Sequence, residues 1–355
     1  MDGAYTRVYD DAESYAAALR PALVQITVTQ PGQFAASVTE LRLGRLTLTR
    51  CDEILARIAH VELSPGQVVF TFLTGAGNGV FFAGNELQRN AIVRHAPGRD
   101  YYQRTMGHAP LASISLAVDG LADLQAVSGS YTSPLPPSLT VLPSAHAIQR
   151  LQRLHAVAVA LAANAREVLQ QSGVARGLEQ ALIEALHDCL NDTCQVNDSA
   201  GQRGHEAIMG RFAAALEASS GLNMFLPELC AAIGVSARTL RACCQEHLGM
   251  GPKHFLMLRS MNLVRHALLA ADNEISTVTQ LATEFGFWEL GRFAVTYREL
   301  YGEAPSATLR RDPAPPRDNL SAAGERNSSV RQWVPGLGQP REHALAWGLS
   351  LAEAS

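Results

Sequence analysis

The sequence predicts an α+β chain of several domains: a β-rich N-terminal barrel, helices that follow it, and an all-α C-terminal domain of two helix-turn-helix motifs joined by a connector helix. Three observations predict it. Short β-rich runs with Gly and Pro punctuation occupy residues 23–118, helical periodicity takes over in residues 146–191, and an internal repeat fills residues 226–305. A length of 355 residues agrees, being long for one core.

Composition narrows the classes without naming a function. The 47% apolar content can fill two cores. No stretch approaches the roughly 18 uninterrupted apolar residues of a spanning helix, and MDGAYTRVYDD lacks the basic-then-apolar pattern of an export signal. A cytoplasmic chain with no membrane partner is therefore expected. The cysteines Cys51, Cys189, Cys194, Cys230, Cys243 and Cys244 show neither metal-ligand spacing nor the density of a secreted disulfide framework, so reduced thiols are expected. A net charge of -4 carries no nucleic-acid signal, and residues 222–311 hold nine Lys/Arg against eight Asp/Glu.

Along the N-terminal part, LVQITVT, LTLTR, QVVFTFL and ASISLAV read as short strands, separated by turns at Pro31-Gly32, Pro65-Gly66 and Gly75 to Gly79. Strands of that length and spacing suggest a sandwich or barrel, assigned to residues 1–130. After the loop YTSPLPPS, residues 146–170 and 175–191 read as amphipathic helices, with Leu151, Leu154, Val157 or Ala158 and Leu161 at helical spacing. Such a face either packs on its own domain or forms a dimer seam. The segment QVNDSAGQRGHE, residues 195–206, reads as a linker, so 131–206 is a helical dimerisation region with its linker. The reading domain spans 207–312. The tail, 313–355, has the composition of a disordered extension, with HALAWGLSLAEA able to form one short helix.

The repeat is the most specific feature. Its first copy is LPELCAAIGVSARTLRACCQEHLGMGP and its second is VTQLATEFGFWELGRFAVTYRELYGEAP. Leu229, Cys230 and Gly234 match Leu281, Ala282 and Gly286, while Leu240, Cys244, Gly249 and Pro252 match Phe293, Tyr297, Gly302 and Pro305, one residue further along. Each copy has an apolar helix, a Gly at the turn and a second helix ended by Gly and then Pro, which is helix-turn-helix architecture. Between them PKHFLMLRSMNLVRHALLAA starts with Pro and has no internal breaker. Phe255, Leu258, Met261 or Asn262, Arg265 and Leu269 advance along it by about one turn each. A rod of about 30 Å suits two helices placed in adjacent major grooves, which lie about 34 Å apart.

On these residues the chain resembles the AraC/XylS family of transcription regulators across residues 226–310. GFWELGRFAVTYRELYGEAPSATLR carries the family pattern in Gly286, Phe287, Phe293, Tyr297, Gly302 and Pro305, whereas Cys244 stands where the first motif usually has Phe. The resemblance implies a cupin-like effector-binding barrel and dimerising helices ahead of the reading domain. It also implies double-stranded promoter DNA, RNA polymerase, a small organic effector and a second copy of the chain as partners, with activation as the family habit.

Helix geometry divides the reading helices. In the first, Ser236 is a natural N-cap, Leu240 and Cys244 point inward, and Ala237, Arg238, Arg241, Ala242 and Gln245 remain for the groove. Arg238 and Arg241 suit guanine O6 and N7, with phosphate contact the open alternative for each. In the second, Trp288, Leu290, Gly291 and Val295 offer few hydrogen-bonding groups, while Arg292, Thr296 and Arg298 do. That helix is expected to supply thymine-methyl and phosphate contacts, and Trp288 is read foremost as a staple beside the helix start.

Enzyme chemistry finds little support. His60, His95 and His108 are scattered, without a His-x-His pair or a Glu at ligand spacing, and GAGNG lacks the Lys-Ser/Thr of a phosphate loop. No catalytic residue, metal ligand or cofactor is assigned. VVFTFL and GVFF, with Arg94, Tyr101, Tyr102 and Arg104 nearby, either line an effector pocket or fill the barrel. A small-molecule-binding or enzymatic β-barrel with an incidental helical domain is the competing function; it accounts only for the N-terminal half.

Overall fold

The computed structural model describes residues 4–19, 22–118, 138–191, 193–196, 200–219, 225–272, 275–311 and 317–318. The N-terminal part contains β1 (Ala4–Tyr9), α1 (Ala12–Ala18), β2 (Ala22–Val28), β3 (Ala36–Leu43), β4 (Leu46–Glu53), β5 (Arg57–Leu63), β6 (Gln67–Leu73), β7 (Val80–Phe82), β8 (Asn85–Glu86), β9 (Ile92–His95), β10 (Asp100–Thr105), β11 (Ala109–Ala117) and β12 (Ser138–Pro143). Helices α2 (Ala145–Asn164), α3 (Arg166–Gln170) and α4 (Ser172–Asn191) follow, then strand β13 (Thr193–Val196). The C-terminal part is helical: α5 (Ala200–Ala218), α6 (Leu226–Ile233), α7 (Ala237–Leu248), α8 (Pro252–Ala270), α9 (Val278–Glu284), α10 (Leu290–Tyr301) and α11 (Pro305–Leu309), with β14 (Arg317–Asp318) after it.

The β-rich domain and the double helix-turn-helix domain are those the sequence predicts, but the strands do not close into a barrel. They form a nine-stranded sheet, β13-β12-β9-β6-β11-β4-β3-β1-β14, and a five-stranded sheet, β2-β5-β10-β7-β8. Closure needs two edges that meet with free backbone groups. At β2 the Val28 N–H is instead taken by the Asn262 Oδ1 of α8, 3.1 Å away, and at the other end β8 is only two residues long. Each sheet is left open.

Strand alternation explains how the sheets stack. On the large sheet Leu41, Leu48, Phe70, Phe72 and Ile114 join Leu151, Leu182 and Leu186 of α2 and α4 in one core, while Val93, Leu111 and Val69 face the small sheet. The register of β5 with β10 gives the small sheet two different faces. Ala59, Val61 and Tyr101 turn toward the large sheet, whereas Ile58 and Tyr102 turn outward against the helical domain. Four layers result: helix pair, large sheet, small sheet, helical domain.

Three segments differ from expectation or fall outside it. Within the segment read as a linker, β13 pairs with β12 and α5 is already helical from Ala200. The tail lies outside the described residues except for Arg317 and Asp318, which pair with Val8 and Arg7 of β1. All of the loop YTSPLPPS except Ser138 also lies outside them. Cys51, Cys230, Cys243 and Cys244 are free thiols.

One titratable group sits in the seam between α1 and the helical domain. The Oε2 of Glu13 is buried without a hydrogen-bond partner. Burial raises its carboxyl from 4.5 to about 7; Arg265 of α8 opposes the rise and Asp11 adds to it. The folded chain thus keeps a proton that the unfolded chain has released, so stability falls as pH rises from about 4.5 to about 7. Glu13→Gln, neutral at every pH, should be roughly 1 to 3 kcal/mol more stable than the parent at pH 8. That gain should shrink as the solution is acidified toward pH 5, as read by urea unfolding.

Candidate nucleic-acid interface

Each motif is shaped at its turns by glycine in the left-handed region, where a side chain would be strained. Gly234 (φ 70°) and Gly249 (φ 72°) end α6 and α7, and Gly286 (φ 85°) and Gly302 (φ 72°) stand at the matching places around α10. At Gly249 a Cβ would meet only the movable end of the Arg104 side chain of β10, so the positive φ is the reason for Gly there. Ser236 caps α7 by accepting the Thr239 N–H at 3.1 Å, and Thr277 caps α9 through the Gln280 N–H at 3.2 Å. Pro252 and Pro305 open α8 and α11, where a missing N–H costs nothing.

Inward and outward residues separate cleanly. Leu240, Cys243, Cys244 and Leu248 of α7 are buried, as are Phe293, Tyr297 and Leu300 of α10. Ser236, Ala237, Arg238, Arg241, Ala242 and Gln245 are all exposed. On the second motif Arg292, Val295 and Arg298 are exposed, Thr296 is half-buried, and Leu290 is half-buried because it packs partly on the motif core. Trp288 is 79% exposed, so the staple reading does not hold. The core position beside the helix start is filled instead by Phe287, whose ring lies 5.0 Å from that of Phe293. Arg292 is paired with Glu289 at 2.9 Å on the surface, a contact too solvated to hold the guanidinium against a phosphate.

Behind the first motif, Cys244 leaves space where the family pattern has Phe. The bulk comes from elsewhere: Phe212 of α5, Phe255 of α8 and Tyr102 of the small sheet share the cluster with Leu229, Leu240 and Cys244. Sequence reading missed Phe212 and Tyr102 as part of this core, because neither lies within the repeat. Behind the second motif, Leu258, Met261, Val264 and Leu268 of α8 meet Leu281, Phe293 and Tyr297 together with Tyr9, Tyr15, Val28 and Val38 of the N-terminal part.

The residues proposed to line an effector pocket are split by strand alternation. Tyr101 stacks on His95 at 4.2 Å between the sheets, Tyr102 faces the helical domain, and Arg104 lies 3.9 Å over the Phe81 ring. His60 contacts Asp100 at 3.1 Å and Glu217 of α5 at 3.7 Å, while His108 approaches Asp52 at 3.3 Å. Among the described residues no group of three His, Cys, Asp or Glu side chains could hold a metal ion. Among the same residues no helix is long and apolar enough to cross a membrane.

Two repeated motifs, exposed on one face and buried on the other, can be compared with known proteins. Residues 229–311 match the family described as "Helix-turn-helix domain". Over 89 residues the chain is 36% identical to the XylDLEGF operon transcriptional activator 1 of Pseudomonas putida, a match covering 25% of this chain and 27% of that protein. Residues 229–311 belong to the AraC/XylS family. The XylDLEGF operon transcriptional activator 3 of Pseudomonas putida is 38% identical over 77 residues, 22% of this chain and 23% of its own. The chain therefore spans about a quarter of the length of the curated relatives it matches. A solved AraC-like transcriptional activator, CuxR, superposes with a TM-score of 0.40 at 13% identity, covering 79% of this chain and 99% of that one.

In this AraC/XylS domain the second motif is tied to the connector by polar bonds as well as apolar contact. Tyr297 OH donates to Thr308 Oγ1 at 2.9 Å and accepts from Arg265 Nη1 at 3.3 Å, and the same Nη1 donates to Glu303 Oε1 at 2.8 Å. Thr308 is fully buried, so no water replaces the lost donor when the hydroxyl is removed. Tyr297→Phe should cost about 1 to 2 kcal/mol in urea unfolding, with the helical circular dichroism signal unchanged before the transition.

Proposed function

We propose that the chain is a sequence-specific DNA-binding transcription regulator that reads two adjacent major grooves and responds to a small organic effector as an activator. The observation that carries this reading is the pairing of two family motifs whose reading helices leave their outer faces exposed while their backs are buried. Relatives named as operon activators support the direction of regulation. A competing enzymatic reading has no motif in the described residues to match this.

The N-terminal sheets are the place proposed for the effector. His95 is buried between them with both ring nitrogens unbonded, and Arg57 Nη1 is buried without a partner although the rest of that guanidinium grips Glu53. Burial holds His95 neutral, down to about 3. Unsatisfied buried polar groups are uncommon unless something polar meets them in another state. For homodimerisation the proposed seam is the outer side of α2 and α4, where Val157 and Val174 are exposed. Promoter DNA and RNA polymerase are the proposed macromolecular partners, within a cytoplasmic setting.

Selection of bound sequences from a random duplex pool by the full chain tests the main claim; an enriched sequence is expected, and its absence overturns the reading. On the enriched duplex, Arg238→Ala or Arg241→Ala should each cost about 1 to 3 kcal/mol and relax preference at one base pair, since a bidentate guanine contact is lost. Equal weakening on enriched and random DNA would make these residues phosphate contacts. Arg292→Ala should instead weaken both DNAs alike and flatten the dependence of log affinity on log salt by about one unit, because a phosphate contact releases counterions whatever the bases. Salt titrations of parent and variant on the two duplexes measure this.

A further inference from the structure

The exposed side chains of α10 and the turn before it indicate what part of a base the second motif touches. Trp288 is 79% exposed and Val295 is 56% exposed, each high for a large apolar residue. Leu290, half-buried, packs on the motif core instead. Arg292 and Arg298 lie three residues to either side of Val295 and are exposed, so on a helix they flank it on one face. Exposed apolar side chains beside Arg298 and beside Arg292, the latter paired with Glu289, suit one occupant. Phosphates supply the negative walls of a major groove, and the thymine C5-methyl is the apolar group that bases present on its floor.

Resting on the DNA-binding reading above, we propose that Val295 and Trp288 recognise thymine C5-methyl groups, so that the half-site of the second motif is defined by thymines while Arg238 and Arg241 define the other half by guanine. The two motifs then read different chemistry: hydrogen-bond acceptors at one end, methyl groups at the other. Neither Val295 nor Trp288 supports the core, so both can be changed without removing a buried contact.

The test uses the full chain and the duplex enriched by selection, with each dT of the second half-site replaced in turn by dU. That exchange removes the methyl and leaves base pairing intact. The parent should lose about fourfold in affinity for each contacted methyl, the factor expected for one CH2-sized group taken out of water. Val295→Ala should bind the dT and dU duplexes equally at its own position, Val295→Thr, which keeps a methyl, should retain the difference, and Arg238→Ala should retain it too. A parent that binds every dU duplex as well as the enriched one would overturn the proposal while leaving DNA reading intact, as would a Val295→Ala variant that keeps the full dU penalty at every position together with a Trp288→Ala variant that does the same. Failure to enrich any sequence would sink the function itself, which is a different result.

Discussion

The structure depends on how the connector helix α8 is held. At 19 residues it is roughly 28 Å long, and it is buried along its length on more than one side. Ser260, Asn262 and Arg265 lie buried among its apolar residues. Polar side chains in that position destabilise unless bonded. Asn262 meets the condition twice, accepting from the Val28 N–H of β2 and donating to the Leu258 carbonyl at 2.8 Å, and Arg265 is bonded to Tyr297 and Glu303. The helix is thus fastened to the small sheet on one side and the second motif on another. Shifting the connector against the small sheet or against the second motif would break these bonds, the Val28–Asn262 and Arg265–Tyr297 bonds in buried places.

This fastening also decides what the reading faces can do. Their backs are used up in packing: the first motif against α5, Ile58 and Tyr102, the second against α1, β2 and β3. What remains outward is nearly neutral, for residues 222–311 hold nine Lys/Arg against eight Asp/Glu, and Arg292 is a cation already paired, with Glu289. Sequence-independent attraction to phosphate grows with the number of cations engaged. With few of them, discrimination under the proposed function must come mainly from contacts to base edges and from holding two helices at once.

The legibility of the sequence varied with the range of the forces involved. The motifs were readable because their signals are local: a glycine at positive φ, a proline at a helix start, and Leu240, Phe293 and Tyr297 at fixed spacing from them. Strands were readable as runs, yet their closure was not, since the openness of the small sheet turns on Val28 meeting Asn262, 234 residues away. The connector showed only its apolar steps in the sequence, and Asn262 and Arg265 looked like members of a stripe rather than buried bonding groups. Trp288 misled for a related reason. Helix-start spacing allows a staple at that position, and nothing nearby reveals that Phe287 already fills the space against Phe293.

The two motifs rest on different parts of the β-rich domain, which has a consequence for regulation under the proposed function. The first motif rests on β5 and β10 through Ile58 and Tyr102, and the second rests on α1 and β2 through Tyr15 and Val28. These are two separate apolar clusters with different footholds. A ligand shifts an equilibrium only by its differential affinity for the two states. One lodged between the sheets meets His95 of β9 and Tyr101 of β10, and Tyr102 and Arg104, further along β10, face the first motif, so it bears on the β10 foothold more directly than on β2. Because both reading faces are exposed while docked, covering and uncovering them is not the available device. Changing the placement of the first motif against a second motif fixed by Asn262 and Arg265 is, and it would alter the spacing of two helices that must enter their grooves together.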